Sequence, residues 1–234
     1  MPKAKGKTKE ETFSLYRLAS GKPGIKVSVA QYLEIVSRDR VLKTHKVTYK
    51  LKDGYVYHGS SQEEIRVIKR LEKHDAFRKL RGQCLCIPYR FGGKNRRYYP
   101  DFVVLTKTGK VVIIEVKPIA DMATKQNLKK YKALAKYCKQ HGYLYLMCDK
   151  LLRPYSKVKE EKRHGKVERA IKHALEDTGR FTAQDYKALI EGESARDVRK
   201  IRDRIGAYVA AHEGEVRQVG NLEHEMKRFV IVKA

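Results

Sequence analysis

Acidic side chains are scarce in this chain. Its 234 residues carry 27 aspartates and glutamates against 53 lysines and arginines, a formal net charge of +26. Long apolar runs are missing as well: nothing approaches the roughly 18 consecutive apolar residues of a transmembrane helix. The start, MPKAKGKTKEE, has lysines but no apolar segment behind them, which reads against a secretory signal. There are only four cysteines, Cys84, Cys86, Cys138 and Cys148, with no Cys-x-x-Cys pair and no histidines grouped among them. A structural zinc site is therefore not expected, and free thiols in a reducing cytoplasm are. No P-loop, dinucleotide fingerprint or Ser-His-Asp order is present.

What is present is a folded chain with a basic surface. Apolar residues make up 41% and charged residues 34%, too apolar a balance for a disordered polycation. The length allows one large domain or two small ones, each with a core. Such a surplus of positive charge favours a polyanionic partner, because each neutralised phosphate releases counterions. Nucleic acid is the first expectation and an anionic membrane surface the second.

Along the chain, residues 1–12 read as a solvated basic tail and 1–58 together as that tail plus an accessory segment. VSVAQYLEIVSRDRVL has a helical pattern, and VTYKLKDGYVYH alternates like a strand pair turned at Asp53-Gly54. Residues 59–150 form the sharpest block. SSQEEIRVIKRLEKH opens with cap residues and spaces Ile65, Ile68 and Leu71 as a helix. Strands are expected over Gln83–Phe91, Arg97–Leu105 and Val111–Lys117, a helix over Lys125–Gln140 and a strand over Tyr143–Cys148. The order α-β-β-β-α-β predicts an α/β sheet sandwiched by helices. Residues 151–166 are a charged connector. Beyond it, residues 167–234 predict three helices and a β-hairpin, the order of a winged helix-turn-helix.

The chemistry concentrates in RRYYPDFVVLTKTGKVVIIEVKP. Asp101 opens one strand, and Glu115, Val116 and Lys117 close the next after a tight turn. A hairpin sets Asp101 and Glu115 side by side, and strand alternation puts Glu115 and Lys117 on one face. Two carboxylates beside an apolar run are costly unless paired or coordinating a cation. Hard oxygen donors suit Mg²⁺, with Mn²⁺ as a substitute, and such a cation can activate water and bind a phosphate oxygen. The lysine can orient water or stabilise charge at phosphorus. The implied reaction is metal-assisted phosphodiester hydrolysis. A purely structural ion-pair network is the plain alternative, although such networks seldom end a run like VVIIEVK.

Pro100-Asp101 followed by Glu115-Val116-Lys117 resembles the PD-(D/E)XK nuclease motif. Ser61-Gln62-Glu63-Glu64 resembles the Ser-x-x-Glu of the first core helix in such nucleases, whose glutamate completes the metal site. The register is ambiguous. Glu64 precedes Val67, Ile68 and Leu71 by three, four and seven residues and so borders the apolar face, which favours it over Glu63. From about Ser60 to Leu151 the chain is similar to the endonuclease subunit of heteromeric transposases, the TnsA-like family. The resemblance implies a restriction-endonuclease-like mixed sheet flanked by helices, with a C-terminal winged helix-turn-helix. It implies catalysis by Glu64, Asp101, Glu115 and Lys117, with metal held by Asp101, Glu115, Glu64 and the Val116 main-chain carbonyl. It further implies double-stranded DNA as substrate, cleavage at transposon ends, and a DDE transposase and a AAA+ regulator as partners in the cytoplasm of a prokaryotic host. Gln83 stands where the family often has a glutamine. A stand-alone phage or defence nuclease, and a non-catalytic DNA-binding adaptor with a retained nuclease fold, use the same core.

Candidate DNA contacts follow from charge. Lys94, Arg96 and Arg97 lie at the turn before Pro100-Asp101, placed to grip phosphates. In the third C-terminal helix, Arg196, Arg199, Lys200 and Arg204 fall off the apolar stripe of Val198, Ile201, Ile205 and Tyr208, and Arg217 or Lys227 would sit on the wing. A winged helix serving protein contacts would carry the same solvated arginines.

Overall fold

Alternating valines and isoleucines between Phe102 and Val116 have apolar partners on both sides, and the rest of the nuclease-like half is built around them. In the computed structural model, residues 24–37, 46–161, 164–222 and 226–234 are described, the Lys227 side chain excepted. The basic tail, residues 38–42 of the helical patch and the Lys227 side chain thus lie outside the described residues. The chain forms two compact units. The first takes the described residues up to Val116 together with Tyr131–Pro154, and the second takes Lys117–Lys130 and Tyr155–Ala234.

The first unit holds helix α1 (Val29–Ile35), the hairpin β1 (Val47–Lys50) and β2 (Val56–Gly59), and helix α2 (Gln62–Leu71). Strands β3 (Phe77–Gly82), β4 (Ile87–Phe91), β5 (Lys94–Tyr98), β6 (Phe102–Thr106) and β7 (Val111–Val116) follow. The chain then enters the second unit with a short helix, α3 (Ile119–Met122), and the start of the long α4 (Lys125–His141), and returns to the first with the rest of α4 and β8 (Leu144–Cys148). The central sheet has the order β3-β6-β7-β8. Its first three strands are antiparallel and β8 joins β7 in parallel, so the sheet is mixed.

Strand alternation divides the core in two. Phe102, Val104, Val112, Ile114 and Val116 pack with Ile65, Val67, Ile68 and Leu71 of α2 on one face. Val103, Leu105, Val111 and Ile113 pack with Tyr32 of α1 and Leu134 and Cys138 of α4 on the other. Helix α2 starts where expected, at Ser61, whose hydroxyl accepts the Glu64 N–H at 3.3 Å.

Two expected strands are broken. Gln83 takes a left-handed backbone (φ 48°), ending β3 at Gly82, so Gln83–Phe91 is not one strand. Arg97–Leu105 is divided at Tyr99-Pro100-Asp101 because Pro100 has no N–H for a ladder. The piece before it, β5, pairs with β4 as a separate two-stranded ribbon outside the central sheet. Strand β3 was not anticipated, since FRKLRG shows little apolar content.

The second unit contains α5 (Tyr155–Lys159), a helix inside the expected connector, then α6 (Lys166–Asp177), β9 (Arg180–Thr182), α7 (Ala183–Ile190) and α8 (Ala195–Ala211). Strands β10 (Val216–Val219) and β11 (Val230–Lys233) complete an antiparallel sheet of order β10-β11-β9. Thr182 and Ser194 cap α7 and α8 as expected, and Thr182 forms a full capping box with Asp185. Ile201, Ile205 and Tyr208 are buried with Val167, Ile171, Phe181 and Ile231. The last turns of α8 are buried all round, because Gly206 lies directly on the backbone of Ile119 and Ala120 in α3. Among the described residues no helix is long and apolar enough to cross a membrane.

A methyl at Gly206 would collide with main chain that cannot swing aside. Gly206→Ala is therefore expected to destabilise this unit by about 1–3 kcal/mol, read as a lowered urea midpoint. His164 is buried. Burial, reinforced by the nearby His212, lowers its pKa from the ordinary 6.5 against the opposing pull of Glu161 and Glu168. The neutral ring is thus the folded form, and its stability contribution is present above pH 6.5 and lost as pH falls through the lower folded value. Melts of wild type and His164→Phe between pH 7.5 and about 5 should show a shallower acid loss in the variant.

Candidate active site

The β6–β7 hairpin turns at Lys107–Lys110, where Gly109 supplies a left-handed backbone (φ 81°). Its register pairs Phe102 with Ile114, so Asp101 stands one step further, across from Glu115. The expected adjacency of the two carboxylates is therefore present. Asp101 Oδ2 accepts the Val116 N–H at 2.7 Å, and Glu115 Oε2 accepts the Tyr98 hydroxyl at 2.7 Å. Both acids are buried, at 7% and 5% exposure. Lys117 follows Val116 directly in the chain and is half-buried.

Glu64 is brought in from helix α2. It is 4% exposed, whereas Glu63 turns outward to an ion pair with Lys150 at 3.3 Å. That difference separates the two registers of the Ser-x-x-Glu pattern. Glu64 Oε2 accepts the Tyr57 hydroxyl at 2.5 Å and the Ser60 N–H at 3.0 Å. Its Oε1 accepts the hydroxyls of Ser60 at 2.7 Å and Ser61 at 2.9 Å. Oε2 is thus held by a core phenol and the main chain, and Oε1 by two hydroxyls free to rotate away.

Two tyrosines link the three acids. Tyr57 packs with the α2 side of the sheet and Tyr98 with the α4 side. Burial, then the carboxylates of Glu64 and Asp101, drive the Tyr57 phenol well above its ordinary pKa. Burial, then Glu115 and Asp101, do the same to Tyr98. Asp101 is the acid that contributes to the raised pKa of both phenols. Gly59 and Gly82 border the Tyr57 ring so closely that a Cβ on either would strike it. The Gln83 N–H donates to the Asp101 carbonyl at 3.1 Å, so the strained glutamine helps hold the segment that carries the acid.

The donor chemistry fits a hard divalent cation at the Asp101–Glu115 pair. Among the described residues, no three His, Cys, Asp or Glu side chains already converge as a metal cluster, since Glu64 is turned to its own donors.

The predicted DNA-contact side chains among the described residues are solvent-exposed. On the β4–β5 ribbon, alternation puts Lys94 and Arg96 on one face and Arg97 on the other. The Arg96 guanidinium lies over the Phe91 ring, 5.9 Å from its centroid. In the second unit Arg196, Arg199, Lys200 and Arg204 are exposed along α8, with Lys200 paired to Asp197 at 2.7 Å, and Arg217 is exposed on β10.

Sequence reasoning assigned neither Tyr57 nor Tyr98 a part in the site. The available signal for Tyr57 was its inward place in an alternating strand followed by a glycine.

Residues 74–149 match the family model described as TnsA-like endonuclease N terminal. The matched segment includes Asp101, Glu115 and Lys117, and is similar to the endonuclease domain of a family related to transposase subunits. Glu64 and Tyr57 lie before it. No curated protein matches the chain.

Gly82→Ala would drive a methyl into the Tyr57 ring. A stability loss of about 1–3 kcal/mol is expected, read as a lower melting temperature.

Proposed function

We propose that this protein is a metal-dependent DNA endonuclease that cuts transposon ends as the TnsA-like subunit of a heteromeric transposase. The observation that carries the reading is the pairing of buried Asp101 and Glu115 across one hairpin, inside the segment that matches the endonuclease family. Asp101, Glu115 and the Val116 carbonyl would hold Mg²⁺ or Mn²⁺, with Glu64 joining through Oε1 once the serine hydroxyls rotate. The cation would supply Lewis acidity at a phosphodiester and a more acidic water. Lys117 orients the attacking water and offsets charge that builds on phosphorus. The Val116 N–H holds Asp101 Oδ2 in place at the end of the hairpin.

DNA is gripped by charge. Lys94, Arg96 and Arg97 hold phosphates near the scissile bond. The second unit acts as a winged helix, a reading supported by its helix-strand-helix-helix-strand-strand order and its three-stranded sheet. Arg196, Arg199, Lys200 and Arg204 of α8 would then enter the major groove, and Arg217 would lie on the wing. A DDE transposase and a AAA+ ATPase are the partners this reading requires.

Supercoiled plasmid incubated with Mg²⁺ or Mn²⁺ tests it, alone and with the partner proteins added. Wild type should nick, and Asp101→Ala and Lys117→Ala should each lose about a hundredfold or more in rate while still shifting DNA in a gel. Nicking only with partners supports the transposase subunit. Nicking by the isolated protein supports a stand-alone nuclease, and DNA binding without cleavage under either condition leaves an adaptor.

A further inference from the structure

Each of the three buried acids has one oxygen tied to a specific protein donor. For Asp101 the donor is main chain, the Val116 N–H. For Glu115 and Glu64 it is a phenol: Tyr98 donates to Glu115 Oε2 at 2.7 Å and Tyr57 to Glu64 Oε2 at 2.5 Å. Phenylalanine would fill either space without needing a buried acceptor. The hydroxyls instead restrain two flexible glutamates, since a fixed O–H on one oxygen sets the direction of the other. The two phenols lie on opposite sides of the sheet, so neither can do the other's work. The Tyr57 ring is itself wedged by Gly59 and Gly82 and leans on Phe102, with ring centroids 5.3 Å apart. Tyr98 is similarly buried and meets Tyr89 edge-on.

We propose that Tyr57 and Tyr98 are positioning residues for the divalent-cation site, each anchoring one oxygen of a glutamate, Glu64 or Glu115, and so limiting where its second oxygen can reach. The proposal rests on the metal-dependent reading above and names two residues which that reading does not use. Donors behind metal-binding carboxylates typically change metal affinity by about ten- to a hundredfold when removed.

Mn²⁺ is titrated into the full chain, and binding is read from loss of the free-ion paramagnetic resonance signal, with melting temperature recorded in parallel. Tyr57→Phe and Tyr98→Phe should each raise the half-saturating Mn²⁺ concentration about tenfold or more. Tyr32→Phe is the control, because the buried Tyr32 hydroxyl donates only to a main-chain carbonyl, that of Val103, at 2.8 Å. It should lower the melting temperature and leave Mn²⁺ binding unchanged. Wild-type affinity in both test variants would overturn the proposal, as would an equal loss in Tyr32→Phe. Wild type that binds no Mn²⁺ would overturn the metal-dependent reading as well, so the two failures are distinct. Two independent variants keep the test decisive should one fail to melt cooperatively.

Discussion

The register of the β6–β7 hairpin is the constraint on which the first unit depends. Strand side chains alternate with a period of two, so a slip of one residue would send every apolar side chain to the wrong face. The same slip would separate Asp101 from Glu115. Apolar packing on both faces therefore enforces the alignment of the acids, because Val103, Leu105, Val111 and Ile113 cannot trade places with Val104, Val112 and Ile114 without emptying both halves of the core. The bond from Val116 N–H to Asp101 closes the end of the hairpin where Pro100 has interrupted the ladder.

Burying three carboxylates at the edge of this core has a desolvation cost that must be met locally. Hydroxyls and main-chain N–H groups meet part of it. Tyr57 and Tyr98 face the acids from the two sides of the sheet, and small residues make room for the first of them. Part of the excess positive charge lies on the β4–β5 ribbon and on the exposed side of α8, where it stays hydrated and available to a polyanion.

Much of the candidate site was legible because its parts are local in sequence. The turn between Asp101 and Glu115 and the apolar run up to Glu115 define a hairpin from neighbouring residues alone. The cap at Ser61 and the stripe of Ile65, Ile68 and Leu71 distinguish Glu64 from Glu63 in the same way. The capping residues Thr182 and Ser194 located α7 and α8 correctly. The failures share a physical cause. Strand β3 has few apolar side chains and owes its place to pairing with β6. The ends of β3 and β5 are set by a left-handed Gln83 and by Pro100, neither of which disturbs the period-two pattern enough to show.

The sequence by itself determined the alternation of the central strands, the hairpin that pairs two acids, the helix starts and the strongly basic surface. Each of these depends on residues within a turn or two of one another. Only the tertiary structure decided which donors hold the acids, since Tyr57 and Tyr98 reach them across packed layers whose spacing no periodicity encodes. It also decided why Gly59, Gly82 and Gly206 are glycines: at each, a ring or a backbone from another element fills the space that a Cβ would need.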